Sequence, residues 1–285
     1  MSDPAAALAL ASSGLRFAPE DNPFRTVIAD VTHRCNMVCR NCYIPNRDVP
    51  DLDADWLIAL IARFPRRIRL RIVGAEPTMR RDLPDLIARV RDTGHLPVLL
   101  TNALKLADRR YVARLKASGL RTVHVSFDGG LDDDLYEAVD DLRCATKKLA
   151  ALDNMCAENL FVTAGMILVR GVNDGHLPVF MNHLRGRPQV REIHLRSVGQ
   201  IGRFMETDPF RLDELIRLAE TALDRPRDSW QRMERGRSHL DFFVDGVKFQ
   251  LTEWPDLGSE ERGRITPEGF VEPFFEHVMA NENRY

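Results

Sequence analysis

With 285 residues, 44% of them hydrophobic, the chain is long enough to bury one sizeable core, and no Gly/Ser-rich stretch marks a linker between independent domains. Forty basic against 42 acidic residues leave a net charge of −2, which excludes a dedicated nucleic-acid surface. No apolar run reaches the ~20 residues required to cross a bilayer, and five cysteines without a secretory apolar segment point to a reducing cytoplasm rather than a disulfide framework.

Residues 1–22, Ala-rich and then polar, read as a mobile or draped N-terminal arm, and the first ten lack the basic start of a targeting segment. Short runs rich in Val, Ile and Leu predict buried strands at 26–31, 70–73, 97–101, 122–127, 160–169 and 192–198. Helical patterns fall between and after them at 53–63, 83–92, 109–118, 144–155, 177–184 and 212–223. This alternation implies right-handed parallel crossovers, hence a barrel or a doubly wound sheet. Six such units are too few for a complete eight-stranded barrel. The basic run Arg66-Arg67-Ile68-Arg69-Leu70-Arg71 reads as a strand entrance with a solvated face. Beyond residue 224, Asp245-Gly246 between apolar strands predicts a hairpin, and Thr266-Pro267-Glu268-Gly269 predicts a second turn. The expected division is an arm over 1–22, a barrel over 23–224 and a C-terminal cap over 225–285.

Cys35, Cys39 and Cys42 form a CxxxCxxC trio directly after the first strand. Three thiolates in one tight loop hold a [4Fe–4S] cluster while leaving its fourth iron without a protein ligand. Zinc would call for a fourth Cys or His at ligand spacing, but Cys144 and Cys156 are isolated in helix-like sequence and His33 is too close to Cys35 to complete a relaxed tetrahedron. No HExxH or comparable histidine pair offers another centre. In parallel α/β barrels chemistry gathers at the C-terminal strand ends. The cysteine loop, Glu76, Asn102, Ser126 and Asp128 all follow or end predicted strands on that rim.

The trio, followed by aromatic Tyr43, resembles the signature of the radical S-adenosylmethionine (SAM) superfamily. Gly74-Ala75-Glu76-Pro77 is similar to its Gly-Gly-Glu-Pro turn, with Ala75 in the second glycine position. Leu100-Thr101-Asn102, Ser126-Phe127-Asp128-Gly129 and Gly171-Val172-Asn173-Asp174 resemble segments of its molybdenum-cofactor and peptide-modifying branch. The resemblance covers about residues 26–200 and implies an α/β fold, a partial (β/α)6 parallel barrel with a small C-terminal β-hairpin cap. It also implies a [4Fe–4S] cluster on Cys35, Cys39 and Cys42, and SAM on the open iron. Glu76 would accept a hydrogen bond from the SAM amino group. Tyr43, Gly74, Ala75, Pro77, Asn102, Ser126, Asp128, Arg170 and Ser197 complete the expected cofactor contacts.

The activity so implied is reductive cleavage of SAM to a 5′-deoxyadenosyl radical, which takes hydrogen from an unactivated C–H bond of a biosynthetic substrate. Flavodoxin or ferredoxin is the implied electron donor. Gly269-Phe270-Val271-Glu272-Pro273-Phe274 resembles the opening of an auxiliary-cluster domain, but Phe274 stands at the cysteine position, so the cap is expected to be metal-free. That favours a small metabolite over a peptide; radical coupling or alkylation of lipid chains is a further alternative. A non-catalytic iron–sulfur carrier is the reading from a different class, and Glu76 beside an open iron argues against it. Candidate substrate contacts, chosen for charge or bulk, are Arg170, Asn173, Arg196, Arg203, Glu253 and Trp254, of which Arg196 and Arg203 suit an anionic group.

Overall fold

Alternation along the strands separates two environments. Val27, Ala29, Leu70, Ile72, Leu99, Val123 and Val125 are buried in one core, whereas their sequence neighbours Arg69, Arg71, Thr122 and His124 line an open cavity. The computed structural model describes residues 15–40, 42, 44, 48–200, 206–254 and 262–273. Six parallel strands build the barrel: β1 (Thr26–Asp30), β2 (Arg69–Val73), β3 (Leu96–Thr101), β4 (Thr122–Ser126), β5 (Phe161–Leu168) and β6 (Val190–Ser197). The helices are α1 (Ala54–Ile61), α2 (Leu83–Asp92), α3 (Arg109–Ala117), α4 (Asp133–Asp140), α5 (Ala145–Ala157), α6 (Leu177–Leu184) and α7 (Leu212–Leu223). Their apolar stripes, such as Leu57, Leu60 and Ile61 of α1 or Leu86, Ile87 and Val90 of α2, close the core over the outer strand face.

Local signals set the helix starts. Asp53, Asp108 and Asp132 each accept a backbone N–H from the first turn, at 2.8, 2.9 and 2.7 Å, a cap worth about 1 kcal/mol. The acidic helix α4 is absent from the sequence expectation because its run Asp133-Asp134-Leu135-Tyr136-Glu137 reads as loop; burial of Tyr136 and Val139 makes it helical. As a result α5 begins at Ala145, and Cys144 is its N-cap residue rather than a helical position.

The C-terminal hairpin forms as expected. It comprises β8 (His239–Val244) and β9 (Val247–Thr252), with Asp245 at φ 50° and Gly246 at φ 81°, both left-handed as a type I′ turn requires. Trp230, Phe242 and Phe249 stack along it with ring centroids 3.8 and 5.2 Å apart. The hairpin continues the sheet: β9 pairs parallel with β6, and β7 (Gln231–Arg235) pairs with β8. On the opposite edge β10 (Arg262–Ile265) pairs parallel with β1 and antiparallel with β11 (Val271–Pro273). The order is β11-β10-β1-β2-β3-β4-β5-β6-β9-β8-β7. Phe17 exchanges backbone hydrogen bonds with Val271, so residues near the start of the described chain lie against this edge.

Candidate active site

Buried ties close the loop that carries the cysteines. Leu52 N–H donates to Val31 O at 3.1 Å, and Arg80 Nη1 donates to both carbonyls, 2.9 Å to Val31 and 2.6 Å to Leu52. Arg80 is only 5% exposed and pairs with Asp82. Thr32 Oγ1 donates to Asp51 at 2.5 Å, and Arg34 pairs with the same carboxylate. Nothing in the sequence pattern sets Arg80 apart from the adjacent Arg81.

The turn after β2 docks onto this loop. Ala75 N–H donates to Thr32 O at 2.8 Å and Glu76 N–H to Arg34 O at 3.0 Å. Gly74, at φ 136°, has no alternative: a Cβ there would lie 2.2 Å from Thr32 O. Glu76 is fully enclosed. Its Oε1 accepts from Thr78 N–H (3.0 Å), Thr78 Oγ1 (2.6 Å) and Thr101 Oγ1 (2.7 Å), while Oε2 accepts from Asn102 N–H (2.7 Å). Four donors engage the carboxylate, which fastens the turn to the end of β3. Pro77 is buried in the turn that follows. Asn102 connects this knot to the cysteines, with Nδ2 2.8 Å from Asn36 Oδ1 and 3.9 Å from Cys35 Sγ.

A buried ionisable group stands under the other side of the loop. Lys148 of α5 is 0% exposed and donates to Ser126 O at 2.7 Å, with Ser126 Oγ 3.5 Å away. Asp128 is pushed up to about 7 by burial and by Asp140, and Asp140 accepts a hydrogen bond from Cys39. Arg40 N–H donates to Val139 O, which docks the end of α4 on the loop. The helical period that puts Lys148 on one stripe with Ala145, Ala151 and Leu152 is the signal that identifies it.

Several predicted residues stand elsewhere, because inward-turned strand ends must satisfy their own backbone. Asp128 Oδ1 accepts from Ile167 N–H at 2.7 Å. Asn173 is fully buried, donating to Asp128 O and Ile167 O and accepting from Val169 N–H. Arg170 forks onto Glu214 at 3.0 and 2.9 Å and lies over Phe210. Glu253 accepts from Leu212 N–H at 2.9 Å, capping α7, and Trp254 packs on Gly199. Ser197 Oγ is buried without a hydrogen-bond partner. Arg196 lies on β6, and its charge reaches the buried His124 and His194. Tyr43, Arg203 and Phe274 lie outside the described residues.

The donor set fits an iron–sulfur cluster. Cys35, Cys39 and Cys42 are half-buried on one loop, and Met37 N–H donates to Cys35 Sγ at 3.3 Å, as a thiolate sulfur requires. Burial, reinforced by Asp140, pushes the Cys39 thiol up, so a thiolate there calls for a metal cation beside it. Among the described residues no three His, Cys, Asp or Glu side chains gather as ligands of a single ion. The unpartnered Ser197 hydroxyl is a polar group still open to a ligand.

Comparison with known proteins agrees with this geometry. Residues 30–184, more than half of the chain, match the Radical SAM superfamily. The chain is 31% identical over 194 residues to a 7,8-dihydro-6-hydroxymethylpterin dimethyltransferase of Methanocaldococcus jannaschii, covering 64% of this chain and 38% of that one. It is 27% identical over 217 residues to GTP 3′,8-cyclase of Staphylococcus aureus, covering 70% and 62%. It thus spans less than two thirds of either relative. Streptococcus suis SuiB bound to its precursor peptide SuiA superposes with a TM-score of 0.68 at 15% identity, over 92% of this chain and 62% of that one. TYW1 with a lysine–pyruvate adduct gives 0.51 at 14% identity, over 82% and 84%. At such identities the two structures speak for the fold alone. With the matched residues spanning the cysteine loop, the Gly74 turn and strands β2 to β5, the chain belongs to the radical SAM superfamily, enzymes built on a [4Fe–4S] cluster and S-adenosylmethionine.

Proposed function

We propose that the chain removes hydrogen from an unactivated C–H bond of a small biosynthetic metabolite. When bound, the cluster and SAM supply a 5′-deoxyadenosyl radical on receiving one electron, for which flavodoxin or ferredoxin is the fitting donor. Cys35, Cys39 and Cys42 hold three irons. Gly74, Ala75, Glu76 and Pro77 present backbone to the methionyl end of SAM, and Asn102, Ser126 and Ser197 offer polar groups around it. The interlock of Gly74, Glu76 and Asn102 against the cysteine loop carries this reading, because an electron carrier needs no built floor beside an open iron. The barrel wall keeps water from the radical while substrate is held in the lumen. Two relatives named for a pterin and for GTP support a metabolite over a peptide. A barrel unit over 23–224, a substrate-facing segment over 225–285 and a cytoplasmic location complete the assignment.

The test is anaerobic reconstitution followed by dithionite and SAM. About four irons per chain, production of 5′-deoxyadenosine, and loss of iron in Cys39→Ala are expected. Transfer of deuterium from a labelled metabolite into 5′-deoxyadenosine identifies the substrate. Full iron content in Cys39→Ala, or intact SAM after reduction, rejects the proposal.

A further inference from the structure

The asparagine at the end of β3 is tied into the cysteine loop through its side chain as well as its backbone. Asn102 N–H donates to Glu76 Oε2 at 2.7 Å, and Asn102 Oδ1 accepts Leu104 N–H at 3.1 Å. Its Nδ2 donates to Asn36 Oδ1 at 2.8 Å and lies 3.9 Å from Cys35 Sγ. An amide nitrogen carries two hydrogens, so both contacts form at once, the longer one to the larger sulfur atom.

Strained backbone holds this arrangement. Ala103, the next residue, is fully buried at φ 63°, a left-handed conformation that a residue with a Cβ resists. Ala103 N–H donates to Thr101 Oγ1 at 2.9 Å, and Thr101 Oγ1 in turn donates to Glu76. The turn is therefore fixed on both sides of Asn102, and its amide is presented to the cysteine loop.

The three thiols differ in what they keep on binding iron. Cys39 donates to Asp140, and Cys42 donates to Ile44 O at 3.8 Å; both bonds vanish with the thiol proton. Cys35 Sγ instead accepts, from Met37 N–H at 3.3 Å and from Asn102 Nδ2. Accepted bonds survive ligation and strengthen as the sulfur becomes negative. Donors to a cluster sulfur favour the reduced, more negative state, and so raise its potential.

We infer that Asn102 is a positioning residue that acts through Cys35: its amide donates to the cluster sulfur and raises the reduction potential of the cluster. This rests on the proposed radical chemistry and adds to the SAM contact proposed for Asn102. One electron passes from the flavodoxin or ferredoxin donor, which is oxidised, to the cluster, which is reduced, and the Asn102 amide keeps its protons throughout. The same residue meets the cluster ligand with its side chain and the Glu76 turn with its backbone N–H, so the two halves of the site share one fastening.

The experiment is an EPR-monitored redox titration of the reconstituted protein and its Asn102→Asp variant. Aspartate keeps the shape and the acceptor for Leu104 N–H, and Asn36 turns its amide to donate to it. The donor to sulfur is lost and a negative charge is gained. At a fixed poise the ratio of reduced to oxidised cluster should fall about tenfold or more in Asn102→Asp, and about threefold in Asn102→Ala, which removes the donor without adding charge. With the side-chain nitrogen of asparagine isotopically labelled, pulsed EPR of the reduced unmutated protein should show a nitrogen coupling that survives in Asn36→Ala and is lost in Asn102→Asp. The coupling in the unmutated chain is a readout independent of how the Asn102 variants fold. Absence of that coupling, its loss in Asn36→Ala, or a native midpoint in both Asn102 variants overturns the inference. Formation of 5′-deoxyadenosine by the unmutated protein is scored separately, so failure of the Asn102 assignment and failure of the radical chemistry are distinguishable.

Discussion

Replacing Glu76 by Gln separates a structural carboxylate from one that touches SAM. In the native site Oε1 serves three donors and Oε2 one, Asn102 N–H at 2.7 Å. The best placement of a glutamine keeps its oxygen on Thr78 and Thr101 and turns its NH2 towards Asn102 N–H, donor against donor. One charge-assisted bond is lost, a buried donor goes unpaired, and three bonds lose their charge; relief of carboxylate desolvation offsets part of this. The balance is a loss of about 2–4 kcal/mol. Urea unfolding of the apoprotein measures it as a lowered midpoint at unchanged slope. Asn102 also loosens from Cys35, so SAM affinity and stability fall together. A variant with native stability but weakened SAM binding would refute the reasoning and return the carboxylate to the role expected from sequence.

Gly74→Ala should be among the most damaging single-methyl changes in the chain. Its Cβ would meet backbone, Thr32 O at 2.2 Å, which cannot rotate away; iron retention after reconstitution should drop sharply, and native iron content would contradict the docked turn. Stability of the apoprotein should also depend on pH through Asp128. With its folded-state pKa raised to about 7 by burial and Asp140, the native state holds a proton that the unfolded state releases near 4. Stability therefore declines as pH rises between these values, and Asp128→Asn should flatten that slope in denaturant titrations at pH 5 and pH 7.5.

Sequence alone was enough for the six barrel strands, the helices other than α4 and the spacing of the cysteine trio, because these rest on local properties: apolar periodicity, turn residues and ligand spacing. The Asp245-Gly246 turn was legible for the same reason, since left-handed backbone is written into its residue types. What those residues do to one another was decided only by the tertiary structure. Glu76 reads as an available acid until the fold brings Thr78, Thr101 and Asn102 onto it. Packing buries Lys148 against Ser126 O, whereas Arg66, Arg67 and Arg69 stay exposed at the strand entrance, as the basic run suggests. Asn173 and Arg170 gain backbone and carboxylate partners that no local pattern announces. Hydrogen bonding and desolvation depend on neighbours distant in the chain, and strand pairing across the barrel is what makes them neighbours.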